Sequence, residues 1–217
     1  MRIELPSGTP AELIKPSGEP SLGVVIAPDI FGLRPLFVDL CSFLAEQNGW
    51  AVCAAEPFPG RTLDGVDERF AAVRNLDDDR VLGDLIAAGK ATECANVALI
   101  GFCMGGMYAL KAAGLSHFQR VVSFYGMIRV PEAWKGFGTA EPLDKLANPL
   151  SSPTLAIIGE QDPYTPPEDV AALELTRVTV VRYPEAEHGF VHDPDRPSHR
   201  PADAADAWTR AIAFLTS

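Results

Sequence analysis

The chain has 217 residues, 47% of them hydrophobic and 22% charged, with a formal net charge of −11. A chain of this size removes roughly 70% of its unfolded surface from water, so it is expected to fold as one domain over its whole length without staples, and disorder is excluded. The acidic balance disfavours nucleic acid and anionic membrane surfaces as partners, and no run approaches the ~20 apolar residues of a membrane span.

Residues 2–4 and 11–14 read as an antiparallel hairpin for a sheet edge. Residues 22–27 form a continuous apolar run that stops at Pro28. Helical spacing over 36–47 puts Phe37, Leu40, Cys41 and Leu44 on one stripe, and Gly49 closes the helix. A second apolar run, 50–54, ends before Glu56 and Pro57. Residues 67–88 predict one long helix or two, with Phe70, Val73 and Leu76 and then Leu82, Leu85 and Ile86 as the apolar face. Strand 97–100 leads directly into helix 105–113, which stops at Gly114. Strands 120–124, 154–158 and 178–183 follow, and helix 202–215 turns Trp208, Ile212 and Leu215 inward. Residues 127–147 exceed the usual connection of about 4–6 residues. Within them Trp134 and Phe137 either line a pocket or pin the loop to the core.

The apolar runs are short, β-branched and closed by Gly, Pro or acidic residues, the habit of parallel strands buried on both faces. Their alternation with helices predicts an α/β fold, a mostly parallel sheet with helices on both faces. Functional groups in such sheets collect at the carboxyl ends of the strands. The loops to search therefore begin at Pro28, Ala55, Gly101, Tyr125, Gly159 and Pro184.

The strongest local signal is Gly101-Phe102-Cys103-Met104-Gly105-Gly106, between a strand and a helix. That is the setting of a nucleophile elbow, with cysteine in the serine slot of G-x-S-x-G. Small residues two before and two after the nucleophile let the turn close, and the helix N-terminus favours a thiolate. A thiol nucleophile needs a base, and the base needs an orienting acid. Asp162, after strand 154–158, and His188, after strand 178–183, complete the order nucleophile, acid, histidine used by α/β-hydrolases. The other cysteines, Cys41, Cys53 and Cys94, form no C-x-x-C pair, so all four are expected to be free thiols in a reducing cytoplasm. His188, His192, Asp193 and His199 share one segment, but Gly189, Pro194, Pro197 and Pro201 rule out a helical His-x-x-x-His face, and no metal site is expected. No dinucleotide or nucleotide-phosphate loop occurs, so no cofactor is expected.

Asp29-Ile30-Phe31-Gly32, the elbow, Phe124-Tyr125-Gly126, Gly159-Glu160-Gln161-Asp162 and His188-Gly189-Phe190 together resemble the dienelactone hydrolase (carboxymethylenebutenolidase) family, over nearly the whole chain. The resemblance implies the α/β-hydrolase fold, a Cys103–His188–Asp162 triad and cofactor-free hydrolysis of a small ester or lactone by a monomer or weak homodimer. It also implies an oxyanion hole from the N–H groups of Ile30 and Met104. Asp29 matches the position of a glutamate that bonds the resting cysteine in bacterial members and gates its ionisation. Phe31, Arg69, Tyr125 and His192 are the implied substrate contacts. Dienelactones carry a carboxylate, which bacterial members hold with arginines. Here the residue four after His188 is His192 instead, which leaves Arg69 and Arg74 as replacements. A broader small-molecule esterase or thioesterase is the enzymatic alternative, and a non-catalytic redox or binding protein is the other.

Overall fold

The computed structural model describes residues 1–136 and 138–217, so Phe137 lies outside the described residues. The chain opens with the predicted hairpin, β1 (Arg2–Glu4) and β2 (Pro10–Ile14), and continues through β3 (Gly23–Ala27), α1 (Pro35–Asn48) and β4 (Ala51–Ala55). Two helices follow, α2 (Val66–Val73) and α3 (Asp78–Ala91), then β5 (Val97–Phe102), α4 (Met104–Ala113) and β6 (Arg120–Phe124). A short 3-10 turn at Glu132–Trp134 and α5 (Pro142–Leu146) lead to β7 (Thr154–Gly159), α6 (Pro167–Glu174), β8 (Thr179–Tyr183) and α7 (Pro201–Thr216).

The strands form one sheet in the order β1-β2-β4-β3-β5-β6-β7-β8. β1 and β2 pair antiparallel, as does β2 with β4, and every pairing from β4 through β8 is parallel. β3, β4 and β7 are buried at every position because neighbours flank them and helices cover both faces. Phe37 of α1 and Trp208 of α7 both reach Phe102 of β5, so these two helices share one face of the sheet. α3 and α4 pack on each other and cover the opposite face.

Residues 67–88 take the two-helix form of the expectation, and Leu76 falls in the break between the helices, where Asp77 caps α3 by accepting the Asp79 N–H at 3.0 Å. One expectation needs correction. β8 is only partly buried, because it is the last strand and pairs with β7 alone. α6 was not foreseen; it buries only Val170 and Leu173, too few positions to write a readable stripe.

Lys111 on α4 is fully buried and donates to both carboxylate oxygens of Asp78 at 2.9 Å. Asp78 also accepts the Ala140 N–H, which ties the long connection after β6 to the start of α3.

Candidate active site

The elbow forms where β5 meets α4. Cys103 takes φ 55° and ψ −118°, a conformation that costs a side-chain-bearing residue of order 1–3 kcal/mol and persists only when its surroundings enforce it. Here they do. The Cys103 N–H donates to the Phe124 carbonyl of the neighbouring strand at 3.0 Å. A Cβ on Gly101 would stand 2.1 Å from the Gly105 carbonyl oxygen, and one on Gly105 would stand 2.0 Å from the Ala27 oxygen. The backbone after β3 thus runs directly against the first turn of α4, which no side chain at these positions would allow.

That contact brings the Pro28–Phe31 loop beside the nucleophile candidate. Met104 is the first residue of α4, where a backbone N–H has no intrahelical acceptor. In the loop, the Phe31 N–H goes to Asp29 Oδ1 at 2.9 Å and the Leu33 N–H to Glu56 Oε2 at 2.9 Å. Arg69 of α2 donates to the Ile30 carbonyl at 3.3 Å and the Leu63 carbonyl at 2.8 Å. These bonds fix the Ile30–Phe31 peptide, and the Gly32 N–H, donating to the Asp29 carbonyl at 3.0 Å, holds the peptide that carries the Ile30 N–H.

His188 lies in the loop after β8, with Nδ1 2.7 Å from Asp162 Oδ2. Asp162 is buried, and its second oxygen accepts the Tyr164 N–H at 2.8 Å. The His188 ring is met edge-on by Tyr125 at 5.2 Å and by Tyr164 at 4.9 Å between centroids. Its Nε2 is buried and makes no hydrogen bond to a described residue. Burial opposes its charge, but the nearby charge of Cys103 and the bond to Asp162 outweigh it, and the pKa is raised to about 10.

Cys103, His188 and Ile30 line one cavity of about 120 Å³. Phe31, Val66, Phe70, Met127 and Trp134 give it an apolar wall, and Tyr164 and Arg196 stand on the same rim. Trp134 is buried and packs on Phe70 with centroids 5.6 Å apart, so it both lines the pocket and pins the loop.

The structure brings Cys103, Asp162, His188, Ile30, Met104 and Phe31 to one place. It does not bring the other candidates there. Arg69 uses its guanidinium on backbone carbonyls and is not on the cavity wall. Tyr125 and His192 are buried beneath the site rather than in the cavity. Nor does Asp29 bond Cys103. Its oxygens take Arg34 Nη1 at 2.6 Å, Arg34 Nη2 at 3.1 Å and His192 Nε2 at 3.0 Å. Burial alone would raise its pKa, but His192 and Arg34 pull it down to about 2. A carboxylate that acidic, with its lone pairs occupied, is a poor acceptor for a thiol proton.

His192 stays neutral because burial, opposed by Asp29, lowers its pKa. A neutral ring donates from only one nitrogen. The network therefore assigns Nε2–H to Asp29 and leaves Nδ1 to accept the Tyr125 hydroxyl. Tyr125 itself sits at φ 40°, its N–H on the Ile157 carbonyl at 2.7 Å. The chain from Arg34 through Asp29, His192 and Tyr125 ends against the edge of His188.

Sequence reasoning missed Tyr164, Met127 and Arg196. Tyr164 and Met127 follow recognised motifs by two residues and one residue respectively, so proximity was a usable signal. Arg196 carried none: it lies in a proline-broken segment without periodicity. Its approach is permitted by Gly189 (φ 78°), where a Cβ would fall 2.4 Å from Arg196 Nη1.

A family profile, the dienelactone hydrolase family, matches residues 9–217. The chain belongs to the dienelactone hydrolase family. A carboxymethylenebutenolidase of Rhodococcus opacus is 28% identical over 97% of this chain and 87% of its own length. One from Pseudomonas putida is 30% identical over 70% of this chain and 65% of its own. A crystal structure from Klebsiella pneumoniae, provisionally named a dienelactone hydrolase, superposes with a TM-score of 0.87 at 25% identity, covering 100% of this chain and 98% of the other. A dienelactone hydrolase-like promiscuous phosphotriesterase from metagenomic libraries shares the fold, with a TM-score of 0.80 at 21% identity over 100% of this chain and 96% of its own. This dienelactone hydrolase-like protein therefore has the α/β-hydrolase fold and is a carboxylic ester hydrolase acting on a small-molecule ester. No helix among its described residues is long and apolar enough to cross a membrane. Among the described residues no group of three His, Cys, Asp or Glu side chains could hold a metal ion.

Proposed function

We propose that the chain is a cysteine-nucleophile hydrolase that opens a dienelactone-type lactone, or cleaves an enol ester, through a thioester acyl-enzyme. The reading rests on one observation: Cys103 on its elbow shares a cavity with His188, which Asp162 holds at 2.7 Å.

His188 takes the Cys103 proton and leaves a thiolate beside an imidazolium. The sulfur attacks the carbonyl carbon, and the carbonyl electron pair moves to oxygen. The N–H groups of Ile30 and Met104 hold that oxyanion, each such donor contributing about 2.7–4 kcal/mol. Collapse restores the carbonyl and breaks the C–O bond. The enolate oxygen leaves with the pair, stays tethered in a lactone, and takes the proton of the His188 imidazolium, which returns the ring to its neutral form. His188 then removes a proton from water, the hydroxide attacks the thioester, and the thiolate departs to leave a carboxylic acid. A stabilised enolate leaves readily from a thiol adduct, whereas an amide nitrogen does not, so esters suit this site better than peptides.

A broader esterase reading is favoured by the positions of Arg69 and His192, neither of which faces the cavity. Rates on a dienelactone and on p-nitrophenyl esters separate the two. The cysteine mechanism is tested by intact-mass detection of an acyl adduct and by substitution. Cys103→Ala should abolish turnover and adduct together, and full activity in Cys103→Ser would overturn the thiolate route.

A further inference from the structure

Resting on that reading of the site, we infer that Arg69 is a positioning residue for the oxyanion hole. It does not meet the substrate; it acts through the Ile30 carbonyl and holds the turn that presents the Ile30 N–H.

The turn is the first support. The Gly32 N–H donates to the Asp29 carbonyl at 3.0 Å and closes a β-turn with Ile30 and Phe31 at its centre. Its bonds use the N–H groups of Phe31 and Gly32 and leave that of Ile30 for a ligand. The central peptide of a β-turn, here Ile30–Phe31, is the one that rotates when the turn changes type, and the N–H before it tilts as the flanking dihedrals change. Two side chains grip this peptide from opposite ends. Asp29 Oδ1 accepts its N–H at 2.9 Å, and Arg69 Nη1 donates to its carbonyl at 3.3 Å.

The second support is what else Arg69 does. Its Nη2 donates to the Leu63 carbonyl at 2.8 Å, so one guanidinium ties the loop after β3 to the loop after β4. The same group lies 5.8 Å from the centroid of the Phe31 ring. Arg34 and Arg196 also approach that ring, but each is paired with Asp29, whereas Arg69 has no carboxylate partner among the described residues. Its fork therefore holds backbone rather than balancing an acid. Arg69 stands on α2 between Val66 and Phe70, which line the cavity that Arg69 itself does not reach. The helix that walls the substrate thus also holds the turn that receives the developing charge. Binding energy gained on that wall is passed to the transition state through the Ile30 N–H.

The test measures Arg69→Met and Arg69→Lys against the wild type on p-nitrophenyl butyrate and on a dienelactone, which carries a carboxylate. Removing an oxyanion donor outright costs about 10²–10³ in kcat, and misplacing one costs part of that. Arg69→Met should lose about tenfold or more in kcat on every ester the wild type cleaves, with KM within about threefold. Arg69→Lys, which keeps the charge and a donor but not the fork, should fall between the two. A trifluoromethyl ketone gives a second readout. The sulfur adds to its carbonyl carbon, the carbonyl pair moves to oxygen and nothing leaves, so the adduct keeps an oxyanion in the hole. Followed by 19F NMR, that oxygen should ionise about one pH unit higher in Arg69→Met than in the wild type. Wild-type kcat in Arg69→Met, or an adduct that titrates identically in both proteins, overturns the inference. So does a loss confined to the dienelactone and carried by KM, the mark of an arginine that binds a substrate carboxylate directly. If Arg69→Met fails to fold, Arg69→Lys decides: a loss of about threefold or more in kcat at steady KM supports the positioning role, and wild-type kcat ends it. Turnover that persists in Cys103→Ala defeats the cysteine reading alone, because the Arg69 comparison holds whichever group attacks.

Discussion

Replacing Cys103 with alanine should release the His188 proton. The wild-type ring is raised from 6.5 to about 10, with burial opposing and the charge of Cys103 and the Asp162 bond supporting the protonated form. A rise of that size corresponds to roughly 5 kcal/mol of preference for the imidazolium. Without the sulfur, burial is left against Asp162 alone, and the ring should titrate back near the ordinary value of about 6.5. Long-range 15N–1H correlation spectra of labelled protein, with His188→Gln to assign the signal among four histidines, report the protonation of each ring nitrogen across pH 5–11. The imidazolium stabilisation is fully present below about pH 6.5 and disappears as pH climbs through 10, so the stability gap between wild type and Cys103→Ala should narrow at alkaline pH. A His188 signal that titrates identically in both proteins would refute the thiolate–imidazolium pairing.

Gly105→Ala should destabilise the fold by more than about 3 kcal/mol in urea titration, because its Cβ would meet the Ala27 and Pro28 carbonyl oxygens at 2.0 and 2.4 Å. Gly49→Ala, with φ 68° but open space around it, should lose only about 1–2 kcal/mol, and equal losses would remove the packing argument. Lys111→Met strands the buried Asp78 carboxylate and should cost about 3–5 kcal/mol, whereas pairing it with Asp78→Asn should recover much of the loss in the same denaturation assay. Asp29 has its pKa lowered from 3.8 to about 2, so its contribution is complete above pH 3.8 and fades as pH falls through 2. The stability difference between wild type and Asp29→Asn should therefore be constant near neutrality and shrink in acid; a flat difference down to pH 2 would contradict the ion-pair assignment.

The parallel strands were legible because each is a short apolar run ended by a breaker, and the positions of Cys103, Asp162 and His188 because each follows such a run. Cys103, Asp162 and His188 could be placed from strand order alone, since strand ends define one rim. Side-chain direction could not. Arg69 was expected on the substrate and instead holds the Ile30 and Leu63 carbonyls, a choice set by where α2 crosses the loop. Asp29 was expected at the sulfur and instead anchors Arg34 and His192, partners 5 and 163 residues away in sequence. Contacts of that range leave no local pattern. β8 illustrates the same limit: its composition matches an interior strand, and only the topology makes it the last one.

The interlocked backbones around Gly101, Gly105 and Gly106 leave Cys103 almost no freedom to drift. The pocket residues Val66, Phe70, Met127, Trp134 and Tyr164 come from loops and a short helix outside that interlock. Substrate preference can thus be rewritten by exchanging those residues while the proposed nucleophile keeps its position. Directed evolution of this scaffold should find its gains in the walls and its dead ends at the glycines.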